Sequence, residues 1–161
     1  MTARFYPSNA TNARSMTAPT VRTSMSNWKT DIIRILSSAG WAPIAVFIAH
    51  LFFGRLFGHE PYVDPLMHFC GGMAIAYFFL VASKLASHWI GKLTDIGRAL
   101  FAFGMACAAA VFWEIAEFSS DIVFHTNVQI NNANTMRDLI LGVLGASLFL
   151  IIGRLMKTSS A

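Results

Sequence analysis

Four apolar runs, each about 20 residues long, constrain this chain more than any other feature. At about 1.5 Å of rise per residue, a helical run of that length crosses the roughly 30 Å hydrocarbon layer of a bilayer. Only helices or closed barrels satisfy every backbone N–H and C=O in lipid. The pattern therefore predicts an all-α fold, a polytopic transmembrane bundle of four helices at Ala39–Phe57, Pro65–Leu85, Ala99–Phe118 and Met136–Leu155. Residues 37–157 form the membrane domain. A polar tail with an interfacial lead-in precedes it (1–36), and a short tail follows it (158–161). Composition agrees: only 12% of residues are charged, against about 25% in a soluble domain.

The tail to Ser26 is rich in Ser, Thr, Asn and Ala and has no acid. It lacks the apolar core of a secretory signal, and reads as a disordered cytoplasmic segment, with an organellar transit peptide as the alternative. Trp28–Leu36 mixes isoleucines with Lys29, Asp31 and Arg34, which suits an interfacial lead-in. Pro43 is a candidate kink in the first span. A loop, Gly58–Asp64, joins spans one and two, and another, Ser119–Thr135, joins spans three and four.

The net charge of +4 does not indicate a nucleic-acid partner, because the basic residues are scattered between spans rather than clustered. They serve better as topology signals. Arg4, Arg14, Arg22, Lys29 and Arg34 precede span one; Lys84, Lys92 and Arg98 flank the loop between spans two and three; Arg154 and Lys157 end span four. The opposite side holds only Arg55 and Arg137. Ten against two predicts a multi-pass protein of the cell inner membrane with both termini cytoplasmic.

That topology gathers the ionisable residues. Glu114, Glu117 and Asp121 follow an i, i+3, i+7 spacing at the end of span three, so they share a helical face. Asp64 and His68 open span two at i, i+4; Asp138 opens span four; His50 lies near the outer end of span one. Counted by rise per residue, all fall in one layer near the extracytoplasmic boundary. Small residues extend the same faces: Gly71 and Gly72 beside His68, Gly142 and Gly145 beyond Asp138, and Gly104, Cys107, Ala108 and Ala110 below the acids. Small residues let membrane helices approach closely, so the acidic faces should point into the bundle.

Ionisable groups within a membrane are costly and usually functional. Carboxylates packed this closely repel one another, and a divalent cation would relieve the repulsion. Oxygen donors with some imidazole suit Mg²⁺, Mn²⁺, Fe²⁺ or Zn²⁺. The candidate ligands are His68, Asp64, Glu114, Glu117, Asp121 and Asp138; Glu114, Glu117 and Asp138 are the candidate catalytic groups. The substrate class would be a lipid or glycolipid headgroup of the cell envelope. Two readings stand beside this one: a structural polar network in a non-enzymatic scaffold or partner subunit, and an ion path. Arg137 could pair with an acid or hold a phosphate. His50 suits a helix–helix hydrogen bond better than a ligand role. His59, Glu60, His88 and His125 read as loop surface, and the Phe and Trp side chains as lipid-facing or belt residues. His50 and His68 at similar depth could suggest bis-His haem, but the acids around them make a poor haem pocket. No nucleotide is expected, because the chain has no P-loop and no GxGxxG; GxSxG and HExxH are also absent. Cys70 and Cys107 lie toward opposite membrane faces and should be free thiols.

Asp64-Pro-Leu-Met-His68-Phe69 opens one helix, with Gly71 and Gly72 beyond it. Glu114-Ile-Ala-Glu117 closes the next, and Thr135-Met-Arg-Asp138-Leu with Gly145-Ala146 opens the last. This order resembles the VanZ-like group of small bacterial membrane proteins and related inner-membrane families, over Tyr62 to Leu150. The resemblance implies that Asp64, His68, Glu114, Glu117 and Asp138 are the family's polar positions, and implies a link to glycopeptide tolerance and the envelope. It implies no particular reaction. One position departs: the Asn that often follows the last Asp by about four residues is Gly142 here.

Overall fold

A computed structural model describes residues 28–57 and 63–159. The N-terminal tail, His59 and Glu60 lie outside the described residues. Within them the chain is helical apart from short connections, without a strand. Helix α1 (Trp28–Ile35) passes through a π-helical turn, Leu36–Gly40, into α2 (Trp41–Phe57). Then come α3 (Val63–Leu85), a one-turn α4 (Ser87–Ile90), α5 (Asp95–Phe124) and α6 (Asn132–Ser159). Four stretches are long and apolar enough to cross a membrane: Trp28–Leu56, Val63–Leu85, Asp95–Phe124 and Asn132–Lys157.

The lead-in thus continues into the first span as one helical stretch. The π turn lies where Pro43 acts. Proline has no N–H for the carbonyl four residues back, here Ala39, and its ring crowds that carbonyl. A wider turn relieves the crowding without ending the helix.

The loop expected at Ser119–Thr135 shrinks to residues 125–131, because α5 runs on to Phe124 and α6 starts at Asn132. His125, left-handed at φ 54°, stops α5. The Asn131 side chain then caps α6 by accepting from the Asn134 amide at 3.0 Å. At the other end of α5, Thr94 accepts from the Gly97 amide at 3.0 Å, an ordinary N-cap.

Helix α3 is the centre of the bundle; it packs against α2, α5 and α6. Its tightest partner is α6. A Cβ on Gly72 would overlap the Gly142 carbonyl, and one on Gly145 would overlap the Phe69 carbonyl. These glycines therefore permit backbone-to-backbone contact, as small residues do between membrane helices. Ala76, Ala106 and Ala146 form the buried core, flanked by Ile75, Phe103, Phe149 and Leu150. On α5 the packed face carries Ala102, Ala106, Glu114 and Glu117. Gly104 is exposed with open space around it, which corrects its expected place on that face: it lies two residues, about 200° of helical turn, from both Ala102 and Ala106.

Helix α2 is held differently. It lies against α3, and none of its Cα atoms comes within 8 Å of one in α5 or α6. Side chains alone bridge the gap to α5: the Phe47 and His50 rings meet Trp113 edge-on at 5.8 and 5.7 Å. At the far end of the bundle, Asp95 pairs with Arg98 and with Lys157, tying α5 to α6. His88 Nε2 meets the Asp31 carboxylate at 3.0 Å. His88 therefore ties α4 to α1 and is not merely loop surface.

Candidate functional site

The polar residues converge at the opposite end. Pro65 sits in the first turn of α3, where a missing N–H costs nothing, and Asp64 precedes it. One turn on, His68 turns inward, with its side chain 7% exposed. Helix α5 brings Glu114 and Glu117, which are 5% and 8% exposed, and α6 brings Asp138 at 0%.

His68 lies between two carboxylates. Its Nε2 is 3.4 Å from Asp64 Oδ1, and its Nδ1 is 3.6 Å from Glu114 Oε1. Neither approach makes a hydrogen bond, so His68 Nε2 and Glu114 Oε1 are buried without a hydrogen-bond partner. A buried polar atom in that state costs about 1–3 kcal/mol. Several other carboxylate oxygens are hydrogen-bonded. Trp113 Nε1 donates to Glu117 Oε1 at 2.6 Å. Gln129 Nε2 reaches Glu114 Oε2 at 3.4 Å. Asp138 accepts from Asn134 Nδ2 at 2.6 Å and from Arg137 Nε at 3.1 Å. Arg137 also lies 3.6 Å from Asp64. Four carboxylates thus share one guanidinium and the imidazoles of His50 and His68.

Three overlapping sets of donor atoms each fit within 4.8 Å: His50, Asp64 and Glu117; Asp64, His68 and Asp138; His68, Glu114 and Glu117. Neighbouring ligands of one divalent cation at about 2.1 Å bonds stand roughly 3 to 3.5 Å apart, so side-chain adjustments of about 1 Å close any of these sets. The donors and the two orphaned atoms fit a divalent cation.

Asp121 belongs to none of these sets. Its carboxylate accepts from the Val128 and Gln129 amides at 2.8 and 2.9 Å, and from the Thr126 hydroxyl at 2.6 Å. It folds the α5–α6 connection back on the end of α5, which shortens that loop and delivers Gln129 to Glu114. Trp113 is likewise no belt residue, since its indole N–H serves Glu117. Gln129, Asn134 and Trp113 are participants that spacing alone does not find. Asn134 and Trp113 each stand four residues before the acid they serve, so the i, i+4 relation was the available signal. Gln129 had none.

Below the polar layer lies a cavity of about 270 Å³ between α2, α3 and α5, touched by Gly142 of α6, with His50 and His68 at its polar end. Its other walls are almost wholly apolar.

The fold and the cluster define a polytopic helical membrane protein with a buried carboxylate–imidazole centre. The chain belongs to the family described as "Predicted membrane protein (DUF2238)", which matches residues 16–159. An uncharacterized protein of Thermotoga maritima is 38% identical over 85 residues, 51% of this chain and 42% of that protein. The match thus spans less than half the length of that relative. No solved structure matches the chain.

Proposed function

We propose that the cluster binds one divalent cation and works on a polar headgroup at the extracytoplasmic face of the cell inner membrane. His68 Nδ1, Glu114 and Glu117 are the ligands. Asp64 lies 3.4 Å from the other imidazole nitrogen, where the outer carboxylate of a carboxylate–histidine–metal arrangement would stand, and a small shift on metal binding would complete that hydrogen bond and fix the tautomer. Arg137 holds Asp64 and Asp138 in place. Asp138 is saturated by Arg137 and Asn134, so it orients its neighbours and is a poor candidate for the base. A bound divalent ion would acidify water and polarise a phosphoryl or carbonyl oxygen. Glu114 Oε1, free of hydrogen bonds, is the ligand atom that the cation would satisfy. The VanZ-like resemblance supports an envelope role.

One observation carries this reading: two atoms of the same centre, His68 Nε2 and Glu114 Oε1, are buried without a hydrogen-bond partner. A purely structural network is the alternative, supported by the bonds that Trp113, Gln129, Asn134 and Arg137 make to the acids. It leaves those two atoms unexplained.

Elemental analysis of the purified protein tests the proposal. About one equivalent of a divalent transition metal or Mg²⁺ should copurify or be taken up on titration, and His68→Asn and Glu117→Gln should abolish it. Absence of metal under both conditions, with Glu114→Gln folding and functioning like the parent, would favour the network.

A further inference from the structure

The 270 Å³ cavity is larger than the engineered apolar cavity of about 150 Å³ that stays dry and takes up benzene. It is also elongated. Its lining runs from Pro43 to His50, from Met67 to Ile75 and from Ala106 to Trp113, with Gly142 of α6 beside them, a run of about 10 Å. The walls below His50 and His68 are Pro43, Val46, Ile75 and Ala106, with Gly71 leaving open space where a side chain would stand. Water finds no partners against such walls. No Cα of α2 comes within 8 Å of one in α5, and the Phe47 and His50 rings reach across to Trp113, so the cavity borders a loosely closed side of the bundle. In a membrane-spanning bundle, the material outside that side is lipid chain.

We infer that the cavity seats one hydrocarbon chain of a phosphate-bearing membrane lipid, with its phosphate at the His68–Glu114–Glu117 centre. The inference rests on the proposed cation, because four carboxylates gathered round one guanidinium repel a phosphate until a divalent ion sits on them. Shape supports the chain: the lining of this slot follows three helices for about two turns, and it starts at the polar centre. Charge supports the head: a cation on the acids, with Arg137 beside it, complements an anion.

The test uses full-length protein in detergent with substoichiometric phosphatidylglycerol carrying a diazirine midway along one acyl chain. After illumination, mass spectrometry maps the adducts. Adducts should concentrate on residues 67–75 and 106–110. They should be lost in Gly71→Leu, whose new side chain fills the slot, and in Val46→Phe, which fills it from the loosely held α2. Both variants should keep their metal content. Chelation should remove the slot adducts of the phosphate-bearing probe.

Adducts confined to the outer helix faces in metal-loaded protein would overturn the inference and leave metal binding intact. The same holds if slot adducts persist in both filled variants. Slot labelling that survives chelation would overturn the placement of the phosphate. Failure of metal binding itself is read separately, by elemental analysis.

Discussion

Two adjacent glycines on α3 do different work, although nothing in the sequence separates them. Gly72 abuts the Gly142 carbonyl, whereas Gly71 borders the cavity with nothing near a Cβ position. Gly72→Ala should therefore force α3 and α6 apart, at a cost of about 1–3 kcal/mol. Gly71→Ala should be neutral or slightly stabilising, since alanine is about 1 kcal/mol better than glycine inside a helix. Unfolding titrations in mixed micelles would measure both, and equal losses would contradict the packing described. Trp113 makes a second contrast at this scale. Trp113→Phe keeps the ring that bridges to α2 but removes the hydrogen bond to Glu117. Hydrogen bonds to charged groups contribute about 1.5–3 kcal/mol, so the variant should fold and show a changed metal affinity, readable by titration calorimetry.

At the scale of elements, the α5–α6 connection is built by one carboxylate. Asp121 accepts three hydrogen bonds from residues 126–129 and lets both helices run longer than hydropathy indicates. Asp121→Ala should speed amide exchange at Val128 and Gln129 and leave the spans intact. Gln129 would lose its fixed approach to Glu114. Exchange mass spectrometry on the loop peptide is the measurement; unchanged protection would mean that other contacts hold the connection. Helix α2 is the weak member of the bundle. It joins the rest through α3 and through rings across a gap, so its hydrogen exchange should be faster than that of α3 or α6.

For the whole molecule, the distribution of Lys and Arg predicts that both termini are cytoplasmic and that the polar centre faces outward. Asn127→Cys, in a background with Cys70 and Cys107 replaced by serine, should react with an impermeant maleimide added to intact cells. Labelling only after the cytoplasmic side is opened would reverse the orientation. The two natural cysteines are free and half-buried, in keeping with the expectation that no disulfide joins them.

Much of the architecture was legible from residue order. Four long apolar runs can satisfy their backbones in lipid only as helices, and that argument needs no contact information. The convergence of Asp64, His68, Glu114, Glu117 and Asp138 was legible too, because alternating helix direction and rise per residue fix depth. Tertiary structure decided what depth cannot. It assigned Asp121 to a loop, since which donors a carboxylate meets depends on how the chain folds back. It brought in Gln129 from fifteen residues away and turned Trp113 inward. It separated Gly72 from Gly71 and left α2 standing off from α5, with an apolar slot between them. Sequence periodicity sets which face a residue occupies and how deep it lies; only packing sets which neighbour fills the space opposite.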